Sequence, residues 1–256
     1  MVTGASSGIG VDFANILAEF GCNLIIVARR LDRLEEQKKR LHEQYGIQVE
    51  VISMNLNIPD APQKLYEEIT NKDIEVEVLI NNAGVGLYGN FVDISWEQEK
   101  DMLTLDIFNL VHLTKLFAKE MVKRNSGYIL NVASIGAYQP APTYASYSAA
   151  KSFVLYFTEA LNYELRHTKV KITALSPGVT QTEFFKTAGQ NNLTLFQKLT
   201  IMESYPVAMI GIKAMLKGKP SVIAGWMNAL SIFFYRFMPR RLTTMIASFA
   251  MKYGAD

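Results

Sequence analysis

The chain predicts an α/β fold: a doubly wound parallel sheet between two helical layers, three layers in all. Three observations carry this expectation. Continuous apolar runs such as CNLIIVA (22–28) mark strands buried on both faces. Stretches with helical spacing separate them, as where Leu31, Leu34 and Leu41 recur amid charge in LDRLEEQKKRLHEQY. The glycine-rich and polar motifs fall just after the apolar runs, where a parallel sheet binds ligands outside the carboxyl ends of its strands.

The elements follow in order. The opening MVTGASSGIG places glycines at 4, 8 and 10, but only Met1, Val2 and Thr3 precede them as a strand. A full central strand would hold about five residues, and each missing apolar side chain would have contributed ~1.5–3 kcal/mol. The expectation is therefore a chain that naturally begins a few residues upstream or has been shortened; a degenerate relative with poor cofactor retention is the alternative. Further strands are expected at QVEVIS (48–53), VEVLI (76–80), GYILNVA (127–133), VKITAL (170–175) and SVIAG (221–225). Helices are expected at about 60–72, 95–124, 144–167 and 204–217. Such alternation argues parallel pairing, because parallel strands need long crossovers.

Composition narrows the function classes. The 256 residues are 49% hydrophobic and 20% charged, which fits one globular unit and not a disordered chain. With 26 basic and 24 acidic residues there is no electrostatic footprint for nucleic acid. His42, His112 and His167 lie far apart, and Cys22 is alone, so no metal site is expected. A reduced, cytoplasmic setting fits the single cysteine. No signal peptide is expected, since polar residues interrupt every apolar run near the start, and no uncharged stretch reaches the ~18 residues of a spanning helix.

Three motifs carry chemistry. TGASSGIG suits a tight turn whose bare backbone and helix N-terminus meet a pyrophosphate. NNAG follows at 81–84. Ser134 stands thirteen residues before Tyr147, and Tyr147 four before Lys151, which puts the phenol and amine on one helix face. Together these resemble the short-chain dehydrogenase/reductases over nearly the whole chain. The resemblance implies a Rossmann-like, nicotinamide-dependent oxidoreductase acting on carbonyl or alcohol groups. In that reading Tyr147 is the acid/base, Lys151 lowers its pKa and holds the nicotinamide ribose, and Ser134 binds the substrate oxygen. Cofactor contacts are then expected from Gly4, Ser6, Gly8, Ile9 and Gly10, from Asn82, Ala83 and Gly84, and from Tyr147 and Lys151. Asn55 and Leu56 match the family's adenine contact, with Asn where Asp is usual. SPGVTQTEF (176–184) resembles its Pro-Gly loop and adds Pro177, Gly178, Val179 and Thr182.

Cofactor choice is read at the end of the second strand. Ala28 leaves no carboxylate to repel a 2′-phosphate, and Arg29 and Arg30 follow it, so NADP(H) is favoured over NAD(H). One departure stands out: Asp106 occupies the place of the family's structural-catalytic Asn. Its charge should raise the Lys151 pKa and weaken the pull on Tyr147, while Asn109, about a turn away, cannot replace it without a change of helix register. Tyr144 and Tyr156 are expected to be pocket wall or core.

The domain expectation is a catalytic unit at 1–227, with a substrate lid at about 184–205, and an amphipathic extension at 228–256. Phe184, Phe185, Leu193, Leu195 and Phe196 would favour a lipophilic carbonyl if they face the substrate; packing the lid on the body is the alternative. The tail's Phe233, Phe234, Phe237, Met245, Ile246 and Phe249 are expected to bury against protein, with peripheral membrane contact less favoured. A homodimer or homotetramer through 95–124 and 144–167 is implied by the resemblance. A weakly active or inactive nucleotide-binding relative, acting through protein contacts, is the competing reading. A sugar-nucleotide epimerase or dehydratase is disfavoured by length.

Overall fold

The computed structural model describes residues 1–58, 60–190, 192 and 194–252, with only the backbone of 195, 196, 199 and 252. Seven parallel strands form one sheet in the order β3-β2-β1-β4-β5-β6-β7. They are β1 (Val2–Thr3), β2 (Leu24–Ala28), β3 (Val49–Ser53), β4 (Val78–Asn81), β5 (Tyr128–Val132), β6 (Lys171–Ser176) and β7 (Ser221–Ile223). The apolar runs therefore become strands to within one or two residues of their sequence bounds. β1 is short, yet it pairs on both sides, Val2 opposite Ile26 and Ile80. Strand order reverses between β1 and β4, the switch point at which such sheets open a ligand crevice.

Helices cover both faces. α1 (Ile9–Glu19), α2 (Leu31–Tyr45) and α9 (Ser204–Leu216) pack Phe13, Leu34 and Ile212 with the strand residues Ile26 and Leu130. On the other face α3 (Ala61–Thr70) and α5 (Leu110–Arg124) pack Leu65, Leu113 and Phe117 with Val27 and Ile129. α6 (Ala145–Glu164) joins that face through Val154 and Leu155. Neighbouring strand residues such as Ile26 and Val27 thus enter opposite cores, as the two-residue period requires.

The helix expected over 95–124 is interrupted. α4 (Trp96–Leu103) runs into one π-helical turn, Thr104–Asn109, before α5 begins. The extra residue turns both Asp106 and Asn109 inward, where both are buried.

Beyond β6 lie α7 (Phe184–Thr187), α8 (Leu195–Thr200) and, after β7, α10 (Trp226–Tyr235) and α11 (Arg240–Lys252). In the single chain Phe233, Phe234, Phe237, Met245 and Phe249 of the tail all stay more than half exposed. Among the described residues no helix is long and apolar enough to cross a membrane.

Candidate active site

A crevice of about 700 Å³ opens above the carboxyl ends of the strands, running from Arg30 past the glycine loop to Tyr147. The loop turns sharply because Gly4 adopts φ +67, and a Cβ there would lie 2.9 Å from the Ala83 Cα. Gly10 has a packing task that the spacing did not reveal. It does not line the crevice; a Cβ on it would stand 2.2 Å from the Gly4 carbonyl oxygen, so its bareness lets α1 close onto the loop. Gly8 is the N-cap of α1, and no side chain caps that first turn. Its backbone N–H groups are left for an anion, and the open helix N-terminus favours negative charge. Ser6, Gly8 and Ile9 line the same floor.

NNAG is stitched to this loop. The Thr3 hydroxyl accepts hydrogen bonds from the Asn82 and Ala83 backbone N–H groups, both at 3.0 Å, and the Asn82 side chain donates to the Thr3 carbonyl at 3.0 Å. Beneath it a buried polar ladder crosses the sheet. Asn81 donates to Thr114 and to Asn131, and Asn131 donates to Thr158. Because Thr114 lies on α5 and Thr158 on α6, the ladder fixes both helices against the strands that carry the site.

α6 brings the phenol and amine together as the four-residue spacing requires. Lys151 Nζ lies 5.7 Å from the Tyr147 ring centroid and donates to the Val132 carbonyl at 3.1 Å. Ser134, at the end of β5, accepts from the Gly136 N–H at 3.1 Å and faces the same crevice. Asp106 completes the group. Its Oδ1 accepts the Val85 N–H at 2.9 Å, and its Oδ2 stands 3.0 Å from Lys151 Nζ. Asn109 does not substitute for it; its amide instead donates to the Leu56 carbonyl.

The electrostatics follow from this burial. Desolvation pushes the Asp106 carboxyl above the usual carboxylate range, against the pull of the Lys151 ammonium and the Val85 N–H. Burial alone would lower the Lys151 amine, but Asp106 and Tyr147 outweigh it and hold the amine above its ordinary value. Tyr147 also moves up: burial dominates, Lys151 pulls it down, Asp106 pushes it back, and the Ser134 hydroxyl lowers it slightly. The expectation that Lys151 depresses the phenol thus holds for its own contribution and not for the sum.

At the far end of the crevice Ala28, Arg29, Arg30, Asn55 and Leu56 are brought together. Arg29 is exposed and makes no side-chain bond among the described residues, while Arg30 is tied down. Its guanidinium donates to Ser6 Oγ at 3.1 and 3.2 Å and pairs with Glu183 at 2.9 Å. Arg33 holds the other oxygen of Glu183, also at 2.9 Å. Sequence reading missed Glu183, which is 150 or more positions from both partners. Asn55 Oδ1 accepts the Asn57 N–H at 3.1 Å and keeps a second lone pair.

An aromatic wall borders the crevice beside Tyr147. Phe184 lies 5.3 Å from the Tyr147 ring, Tyr144 lies 5.7 Å from it, and Tyr88 packs on Tyr144 at 5.3 Å. Tyr144 is thus pocket wall, whereas Tyr156, 65% exposed, is neither wall nor core. Phe185, Pro177, Gly178, Val179 and Thr182 also line the crevice. Leu193 and the side chains of Leu195 and Phe196 lie outside the described residues. The tail contributes Met251 to the crevice, and Asn228 of α10 abuts Gly178.

Comparison with known proteins agrees with this geometry. Residues 1–193 match the family model for short chain dehydrogenases. The rat 17-beta-hydroxysteroid dehydrogenase type 3 is 31% identical over 214 residues, 82% of this chain and 69% of that protein. The zebrafish (Danio rerio) very-long-chain 3-oxoacyl-CoA reductase-B is 29% identical over 242 residues, 90% and 74% of the two chains. A short-chain dehydrogenase from Sphingobium yanoikuyae, solved in complex with NADPH, superposes with a TM-score of 0.81 at 29% identity over 93% of each chain. Sheet order, glycine loop and the Ser-Tyr-Lys group in one crevice place the chain in the short-chain dehydrogenase family, as an oxidoreductase that acts on CH–OH or C=O groups with a nicotinamide cofactor.

Proposed function

We propose that the chain is an NADP(H)-dependent reductase of lipophilic ketones or aldehydes, able to run the reverse alcohol oxidation. The carrying observation is the Tyr147–Lys151 pair with Ser134 at one end of a crevice whose other end holds Arg29 and Arg30. A dinucleotide fits the residues present: an uncapped helix N-terminus at mid-length and basic side chains beyond Ala28. Gly4, Ser6, Gly8 and Ile9 would cradle its pyrophosphate, Asn55 and Leu56 its adenine, and Asn82 to Gly84 with Pro177 to Val179 and Thr182 its nicotinamide half. Bound there, the cofactor supplies or takes the hydride.

The chain's own residues handle the proton. Ser134 Oγ hydrogen-bonds the substrate oxygen and fixes the carbonyl. Tyr147 donates its phenolic proton as that oxygen gains negative charge, and Lys151 stabilises the phenolate left behind. In the oxidation direction the phenolate removes the alcohol proton. Phe184 and Tyr144 narrow the mouth with apolar surface, which favours a lipophilic substrate. The steroid and long-chain acyl relatives support that class. Residues 1–227 are read as the catalytic unit with a lid at about 184–205, and 228–256 as an extension. The exposed Phe108, Phe153 and Tyr163 support self-association through the helices within 95–124 and 144–167. The lone Cys22 fits a reducing, cytoplasmic setting.

NADPH consumption against a panel of bulky ketones and aldehydes tests the reading. Tyr147→Phe is expected to lose roughly 10²–10⁴-fold in kcat while still binding NADPH; turnover that survives the change removes Tyr147 from the chemistry. The alternative, a weakly active nucleotide-binding relative, draws on Asp106 beside Lys151. Wild-type protein that binds NADPH but turns over nothing in the panel would establish it.

A further inference from the structure

From residue 204 to 255 the chain carries seven basic residues and no acidic one, although the whole protein is nearly neutral at +2. This segment contains α10 and α11. Along α10 and just past its end a row of apolar residues at helical spacing is left in water: Trp226, Leu230, Phe233 and Phe237, with Trp226 75% and Phe237 73% exposed. Leu242 and Met245 continue the pattern on α11. Arg236, Arg240 and Arg241 sit exposed around the turn between the two helices, and none pairs with a carboxylate among the described residues. The inner sides of the same helices are engaged. Asn228 abuts Gly178, and Met251 lines the crevice with Phe184 and Phe185.

We infer that α10 and α11 form a docking surface for an anionic phospholipid membrane, which holds the crevice mouth against the lipid. Bulky apolar side chains enter the acyl boundary while arginines at their margin meet phosphate headgroups. A second copy of this chain is a poorer occupant, because a two-fold contact would set the same unneutralised arginines against each other. The inference goes beyond the catalytic reading, and its readouts do not involve turnover.

Co-sedimentation of the full chain with vesicles tests it. The protein is expected to pellet with mixed phosphatidylcholine–phosphatidylglycerol vesicles, weakly with phosphatidylcholine alone, and less as salt is added. Phe233→Ser with Phe237→Ser should weaken partition by about tenfold or more. Arg236→Gln with Arg240→Gln and Arg241→Gln should erase the preference for phosphatidylglycerol. Melting temperatures equal to wild type show that the variants fold. Should the Phe variant not fold, Trp96→Phe leaves Trp226 as the one tryptophan, and its emission should shift to the blue on adding mixed vesicles. Failure of the wild type to pellet overturns the inference, as does pelleting that neither set of substitutions alters, or an unshifted Trp226 emission. A solution mass that falls from dimer to monomer in the Phe variant also overturns it, by assigning the face to a second copy.

Discussion

Asp106 sits beside the Tyr147–Lys151 pair proposed to carry the chemistry. Its carboxylate stands 3.0 Å from the Lys151 ammonium, and its charge raises both the amine and the Tyr147 phenol. Asp106→Asn removes that push, so the phenol should ionise more readily. In the oxidation direction, where Tyr147 as the proposed base acts deprotonated, the rising limb of the pH–rate profile should move to lower pH by roughly one unit. An unmoved limb would show that Asp106 does not bias the phenol. Glu183 plays a comparable part at the other end. It neutralises Arg30 and Arg33 where a 2′-phosphate would compete for the same guanidinium groups. Glu183→Gln should therefore tighten NADPH several-fold and leave NADH nearly unchanged, since exposed pairs are individually weak. Titration of both cofactors by fluorescence checks this, and equal tightening of the two would refute a role in choosing between them.

At the scale of elements, two devices hold the proposed catalytic groups in place. The π-helical turn between α4 and α5 aims Asp106 at Lys151 and lets Asn109 reach the Leu56 carbonyl. The Asn81–Asn131–Thr158 ladder ties α6 to the sheet in a region closed to water, where an unpaired polar group is costly. Asn131→Ala takes one buried partner from each of Asn81 and Thr158 and should destabilise the fold by about 1–3 kcal/mol. A urea titration with an unchanged slope measures it, and a loss near zero would mean that the ladder relaxes onto other partners. Neither device was legible beforehand. Helical periodicity runs unbroken through 95–124, and nothing local signals one added residue in a turn. Asn131 lies in an otherwise apolar strand run, where only its partners from other elements explain it.

Over the whole molecule, charge and apolar surface are unevenly distributed. A nearly neutral chain carries seven basic residues and no acidic one from 204 to 255, alongside exposed aromatic side chains. Composition averages this away, and the sequence pattern leaves open whether such side chains meet protein or not. The strand positions, the helix at 31–45 and the joining of Ser134, Tyr147 and Lys151 were all legible, because each rests on local period and spacing. Apolar runs must be buried on both faces, and a four-residue step on a helix has one geometry. By itself the sequence thus determined the sheet, the crevice above it and the residues that line its chemical end. Only the tertiary structure decided that Glu183 meets Arg30, that Gly10 packs against the Gly4 carbonyl, and that Tyr147 is pushed up on balance. The reason is physical: burial and charge depend on neighbours supplied by remote parts of the chain, which local spacing cannot encode.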